Sequence, residues 1–405
     1  MLQIRPVIQH KSVCPYCGHN LSPQDILWQG IHICAISDCT SCHQEIVEDL
    51  RVGQAIFTPF QVGLDDYQLF GGQEGRWFGE PLQQSLRHPK TDIEVVAQVE
   101  SFQQCRDVII LNCIDFLYGH SLLKLLNAER HLRDHKELGL IVIIPQSLRW
   151  MVPKGVAEIW TVNVPFARAR DYYPSLNAKI RQFCDRFDSI YVSLAHSHPR
   201  EFDISVFTQV EKHDFACQDY RITFVWREDR FWWSNFFLWR IARKLKMTWV
   251  FLFWQNYRIC HLFRRLRRDL PYATFTVAGF GTKTSFPSWI EDQRTDAFTE
   301  DIERRTCVIY SQSRLVIGVH GSNMLLPSAH AGMTLDLVSD DRWGNFAQDV
   351  LYQGKVNDLD KRIISFRYRY LPLSISLRSL HSVARSMVIG YETALRYFEV
   401  PSKQP

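Results

Sequence analysis

From about residue 105 the chain alternates short apolar runs with amphipathic stretches, the pattern of repeated strand–helix units around a parallel sheet. Asp107 to Cys113 predicts a buried strand, Gly119 to Leu132 a helix, and Leu140 to Ile144 a second strand stopped by Pro145. A third strand is predicted at Glu158 to Val162, a helix at Tyr173 to Phe187, and a strand at Ser189 to Leu194. The polar break His196-Ser197-His198-Pro199 follows, with a domain boundary expected beyond it. The alternation restarts with a strand at Arg221 to Trp226, a helix at Ser234 to Leu245 and the apolar run Trp249 to Trp254. Next come a basic helix at Tyr257 to Asp269, a strand at Ala273 to Ala278 and a helix at Asp296 to Val308. Leu315 to Val319 is then a strand, His320-Gly321-Ser322-Asn323 its loop, Met324 to Ala331 a helix start, and Thr334 to Val338 another strand. The second half repeats the architecture of the first.

Composition limits the alternatives. A chain of 405 residues is longer than one hydrophobic core supports, at roughly 100–200 residues per domain, so two large domains and an appendage are expected. At 46% hydrophobic and 22% charged residues it reads as globular, not disordered or fibrous. The net charge of +4 is only mildly basic and favours phosphate-bearing or membrane-surface partners weakly. No leader pattern opens the chain and no run reaches the ~20 apolar residues of a membrane helix, so a cytoplasmic location is expected.

Five of the eleven cysteines crowd into the first 42 residues, which suggests metal binding and not disulfides. Cys14-Pro15-Tyr16-Cys17 and Cys39-Thr40-Ser41-Cys42 form two C-x-x-C knuckles 21 residues apart, the spacing of a zinc ribbon. Four thiolates close the shell of a tetrahedral zinc and leave no position for water, so the role expected is structural. Cys34 and His43 stand as substitute ligands. Nucleic acid is disfavoured as a partner, because only Lys11 and Arg51 flank this segment as permanent cations.

In open parallel sheets ligands bind outside the carboxyl ends of the strands, and the His320 loop lies at such an end. Gly321 admits close backbone approach, Ser322 and Asn323 can cap the helix or donate to oxygens, and a helix N-terminus favours phosphate. At the end of the half's first strand, Trp226-Arg227-Glu228-Asp229-Arg230 offers Arg227 or Arg230 as a bidentate phosphate clamp, with a local ion pair to Glu228 or Asp229 as the alternative. Residues 220–355 resemble the donor-binding half of GT-B glycosyltransferases, in particular the family that includes plant xylan arabinosyl- and xylosyltransferases. The resemblance rests on Ser311 through Pro327 and on Thr334-Leu335-Asp336-Leu337-Val338. That family usually carries His-Gly-Ala-Gly where this chain has His320-Gly321-Ser322-Asn323, and more often Glu where it has Asp336.

The resemblance implies an α/β fold of two Rossmann-like domains facing across a cleft, and the knuckle spacing adds a zinc ribbon in front. The expected layout is a ribbon at 1–60, an extension at 61–104, an acceptor domain at 105–215, a donor domain at 216–375 and a C-terminal helix at 376–405 that could cross back to the acceptor domain. It also implies sugar transfer from a nucleotide-sugar donor to a carbohydrate or lipid-linked glycan acceptor. Inversion at the sugar needs a base for the acceptor hydroxyl, and Asp115 is the first candidate, His120 the second, at the end of the first strand. No Asp-x-Asp stands at a strand end and Asp340-Asp341 are adjacent, so no catalytic metal is expected.

The helix Tyr257 to Arg268 has an apolar stripe at Ile259, Leu262, Phe263 and Leu266 and a basic face. That face reads as solvated, or as a peripheral contact with anionic lipid. The competing function is a nonenzymatic zinc-ribbon protein that recognises nucleic acid or a protein partner. Neither a Gly-x-Gly-x-x-Gly dinucleotide fingerprint nor a Gly-x-Ser-x-Gly elbow is present, which disfavours dehydrogenase and esterase readings.

Overall fold

The computed structural model describes residues 1–195, 199, 201–233, 244, 247–352 and 361–398. The chain packs as two units, Met1–Phe202 and Asp203–Pro405.

The strands of the first unit are β1 (Leu2–Arg5), β2 (Ser12–Val13), β3 (Asn20–Leu21), β4 (Asp25–Trp28), β5 (Ile33–Asp38), β6 (Glu45–Asp49), β7 (Gln61–Gly63), β8 (Leu69–Phe70), β9 (Ala97–Ser101), β10 (Asp107–Asn112), β11 (Gly139–Pro145), β12 (Glu158–Val162) and β13 (Ser189–Val192). Four of them run parallel in the order β13-β10-β11-β12, and β1 and β9 close the edges antiparallel. All seven residues of β11 are buried, as a parallel strand covered on both faces requires. The parallel order places a reversal between β10 and β13, a place where ligands enter such sheets.

The N-terminal residues do not form a free-standing ribbon. β4 to β8 make a five-stranded antiparallel sheet, β2 and β3 a hairpin beside it, and β1 pairs with β13 in the parallel sheet. Trp28, Ile33, Leu50 and Phe60 share one core with Val108, Ile110, Ile141 and Trp160. Residues 61–104 contain β7, β8, the helix Arg76–Arg87 and β9.

The second unit has six parallel strands: β14 (Arg221–Arg227), β15 (Thr274–Phe280), β16 (Glu291–Thr295), β17 (Ser313–Val319), β18 (Met333–Val338) and β19 (Tyr368–Pro372). Their order is β16-β15-β14-β17-β18-β19, which counts as 3-2-1-4-5-6 within the unit, the doubly wound Rossmann order. The switch point lies between β14 and β17. The two-Rossmann α/β class expected from the sequence is therefore the fold observed. The helix Leu377–Phe398 buries Leu380, Ala384 and Met387 in the core of this second unit.

One element differs in kind from expectation. The apolar run Trp249 to Trp254 is the start of a single helix, Thr248–Asp269, and not another strand. Phe251, Leu252, Gln255, Ile259, Leu262, Phe263 and Leu266 turn inward on the helical period, whereas Trp249, Phe253 and Tyr257 face out. A six-residue apolar run has no period long enough to separate the two structures. The helix expected at Ser234 to Leu245 lies, Lys244 apart, outside the described residues. Among the described residues no helix is long and apolar enough to cross a membrane.

Three buried histidines make stability depend on pH. His131 meets Ser193 Oγ at 2.7 Å, His213 the Ser311 carbonyl at 2.9 Å and His330 Thr208 Oγ1 at 3.1 Å. Burial pushes all three imidazoles down to about 4. The unfolded chain, titrating near ~6.5, takes these protons first. The resulting penalty is absent above that value and grows as pH falls toward 4, by ~1.4 kcal/mol per pH unit for each histidine. Equilibrium urea unfolding should show a lower midpoint near pH ~5 than at neutrality; an unchanged midpoint would contradict this.

Candidate functional site

At the switch point of the second sheet, the loops after β14 and β17 bring together two of the sequence features. Arg230 Nη1 donates to the His320 carbonyl at 2.6 Å. Gly321 has φ 148°, and a Cβ there would stand 1.8 Å from Arg230 Nη1, so only glycine lets the guanidinium lie on the loop. The His320 imidazole is buried and held through Nδ1, 2.5 Å from Asp336 Oδ2, while Nε2 lies 3.3 Å from Asp349 Oδ2 without a hydrogen bond. Burial raises the Asp336 carboxyl, and the His320 hydrogen bond opposes that shift. The loop continues into a 3-10 turn, Ser322–Met324, and a helix of only six residues, Leu325–His330. So short a helix has a small dipole, and the positive field on this loop comes mainly from Arg230.

The other donor-loop candidates are placed differently. Arg227 is engaged by Asp229 through a bidentate pair, both distances 2.8 Å. Burial would raise the Asp229 carboxyl, but Arg227 outweighs it and holds the group below its usual range. Asn323 Nδ2 donates to the Val319 carbonyl at 3.3 Å, closing its own turn. Glu228 pairs with Lys283 at 2.6 Å.

In the first unit, Asp115 and His120 meet beyond the end of β10. Asp115 is fully buried, with Lys124 Nζ 2.9 Å from Oδ2 and the Phe116 amide donating to Oδ1 at 2.8 Å. Burial alone would raise this carboxyl, but Lys124 and His120 prevail and hold it far below the usual range. It is therefore ionised at neutral pH and a very weak base. Its Oδ1 also lies 3.2 Å from His120 Nδ1, and the Gln54 amide nitrogen lies 3.3 Å from the same ring nitrogen. With Nδ1–H donated to Asp115 the lone pair is left on Nε2, whereas the Gln54 N–H donates to Nδ1 only in the other tautomer. The His120 side chain is 28% exposed, so of the two residues it is the one a substrate hydroxyl can reach.

The four knuckle cysteines also converge. The ligand atoms of Cys14, Cys17, Cys39 and Cys42 all lie within 4.8 Å of one another, with Cys14 to Cys42 at 3.6 Å and Cys17 to Cys39 at 3.5 Å. Sulfurs tetrahedral about zinc at ~2.3 Å stand ~3.8 Å apart, so the four thiols could hold one metal ion. The two knuckles are built alike. In each, the amide four residues after the first cysteine donates back to that cysteine's carbonyl at 2.8 Å, from Gly18 to Cys14 and from His43 to Cys39. Gly18 and His43 both have left-handed φ, 75° and 59°. His43 thus serves the turn, and neither it nor Cys34, which is buried against Asp49, joins the cluster.

The chain matches no protein-family model and no curated protein sequence. Among solved structures it is similar to a glycosyl transferase family 9 protein from Veillonella parvula, with 11% identity and a TM-score of 0.38, over 72% of this chain and 100% of that one. A likeness so faint carries no weight beside the sheet order and loop geometry above.

Three residues that complete these arrangements were not among the sequence candidates: Lys124, Gln54 and Asp349. Lys124 carried a signal, being the single charge within the apolar run Leu122 to Leu126. Asp336, noted only as a family position, is likewise the single charge within β18. A charge inside an apolar run must be paired, because burying it alone is costly. Gln54 is uncharged and Asp349 follows a mixed stretch with other polar residues, so neither carried such a mark.

Proposed function

We propose that this chain is a glycosyltransferase that moves a sugar from a nucleotide-sugar donor to a carbohydrate or lipid-linked glycan acceptor. The observation that carries the reading is the Arg230 guanidinium seated on the Gly321 backbone at the switch point of a 3-2-1-4-5-6 sheet. There Arg230 and the backbone of His320, Gly321, Ser322 and Asn323 would bind the donor diphosphate and stabilise it as it leaves. Arg227 would join them by exchanging Asp229 for phosphate. Two positive groups and backbone donors suffice for this without a catalytic metal.

In the first unit His120 Nε2 is the general base. It takes up the proton that an acceptor hydroxyl loses on becoming a nucleophile. Asp115 is a positioning residue: it fixes the tautomer and stabilises the imidazolium that results. The metal at Cys14, Cys17, Cys39 and Cys42 is zinc, with a structural role. We place the enzyme in the cytoplasm, where thiols remain reduced.

Asp349 lies beside His320 Nε2 and close enough to Arg230 to act on its charge, so its carboxylate would compete with a phosphate for that arginine. Two variants should therefore act in opposite directions on nucleoside diphosphate binding, measured by calorimetric titration. Arg230→Ala should weaken it ~10- to 100-fold through lost charge-assisted hydrogen bonds. Asp349→Asn should tighten it several-fold by removing a competing carboxylate. Equal affinities in all three proteins would refute the site.

A further inference from the structure

We propose that the outward face of the helix Thr248–Asp269 docks this protein on the surface of an anionic lipid bilayer. The inward face of the helix is ordinary core, as described above. The outward face carries two kinds of side chain in sequence. On a 3.6-residue pitch Trp249, Phe253, Tyr257, Arg264 and Arg268 form one stripe, with Trp254, His261 and Arg265 beside it. Trp249 and Phe253 are 56% and 63% exposed, and Trp254 and Tyr257 are about half exposed. Four large aromatics outside the core on one helix face make a contiguous patch of the sort that marks an interaction surface.

Charge names the partner. Beyond the aromatics come Arg264, Arg265, Arg267 and Arg268, and among the described residues no carboxylate pairs with Arg264 or Arg268. The one acid of the helix, Asp269, is engaged by His381 and Arg385. The face is thus aromatic at one end, cationic at the other, and without a free negative charge. Aromatic rings with polar edges settle at the headgroup level, and arginines beside them pair with lipid phosphates.

Ring geometry decides between lipid and the other partner of aromatic, basic surfaces, single-stranded nucleic acid. Nucleic acid binding needs open ring faces on which bases stack. Here Trp254 stacks on Tyr257 at 5.6 Å and 27°, and Tyr257 on His261 at 5.9 Å and 22°, so the faces these rings turn toward one another are closed to a base. Indole and phenol rings, apolar with one polar edge, suit immersion in an interface.

The test uses the full chain in a sedimentation assay with vesicles of phosphatidylcholine and phosphatidylglycerol in equal parts, and with phosphatidylcholine alone. The protein should partition onto the mixed vesicles, weakly or not at all onto the neutral ones, and less at high salt. Arg264→Gln with Arg268→Gln should weaken partitioning ~25-fold, about fivefold per arginine. Trp249→Ser with Phe253→Ser should weaken it ~10-fold. All four positions are on the outside of the helix, so thermal unfolding of both variants should match the parent protein. Absence of binding to the mixed vesicles, binding unchanged in both variants, or tighter binding to a fluorescent single-stranded oligonucleotide than to vesicles would overturn the proposal. Lipid partitioning is read independently of donor binding, so this surface and the sugar-transfer reading stand or fall separately.

Discussion

Removing the proposed zinc from Cys14, Cys17, Cys39 and Cys42 is expected to unfold the hairpin of β2 and β3 and to cost the first unit several kcal/mol. Structural zinc sites in small peptides contribute ~10–16 kcal/mol of apparent binding energy that is also folding energy. The effect here is smaller because the neighbouring sheet has a core of its own. The knuckle region itself has little else: its apolar cluster is Leu21 and Ile46 packed with the cysteines. Elemental analysis of gently purified protein should give ~1 zinc per chain. Cys39→Ser should abolish that zinc and lower the urea midpoint, whereas Cys217→Ser, exposed and not one of the four clustered cysteines, should change neither. A zinc content near zero in the parent protein would dismiss the site.

Replacing His120 with alanine is expected to reduce sugar transfer ~10²- to 10⁴-fold, the usual contribution of a general base. Nucleoside diphosphate affinity should stay as it was, because donor binding is assigned to the second unit. Asp115 is the poorer target for this test. Asp115→Asn would leave Lys124 buried without its charge partner, a loss of ~3–5 kcal/mol that confuses activity with stability. The depressed Asp115 carboxyl stabilises the fold at every pH above the ordinary carboxylate range, and that contribution disappears only in strong acid as the pH falls through its folded value. His120 is a quarter exposed, and its loss would leave Asp115 still paired with Lys124. Retained turnover in His120→Ala would remove it from the mechanism.

Both sheets are legible in the sequence where their strands are buried on two faces. β11 is a continuous apolar run and β14, β17 and β18 are mostly apolar, and each falls within two residues of its expected place. The edge strands are not legible in the same way. β16 is Glu291-Asp292-Gln293-Arg294-Thr295, polar at every position, and only pairing with β15 makes it a strand. The knuckle spacing is legible because four ligands within short turns need little else from the fold. What the spacing cannot convey is that the N-terminal 60 residues supply β1 and part of the core to the parallel sheet. Excising them would therefore disrupt the unit that holds Asp115 and His120.

The donor loop is legible as a place more than as a set of contacts. A strand ending in His320-Gly321 marks the carboxyl edge of a sheet, but the partner of each side chain depends on chain far away in sequence. Arg230 reaches His320 from 90 positions earlier, and Asp336 and Asp349 enclose its imidazole from the far side. Arg227 and Arg230 look equivalent as sequence, yet one is engaged by Asp229 and the other lies on the loop.

The most direct test of sugar transfer from a nucleotide donor is thermal unfolding of the whole chain with UDP, GDP and CMP, beside the Arg230→Ala variant. At ligand ~100-fold above its dissociation constant, binding adds ~2.7 kcal/mol, enough to raise the midpoint by several degrees. The account predicts such a rise with at least one nucleotide in the parent protein and its loss in Arg230→Ala. No rise with any of them, or an equal rise in both proteins, would contradict it.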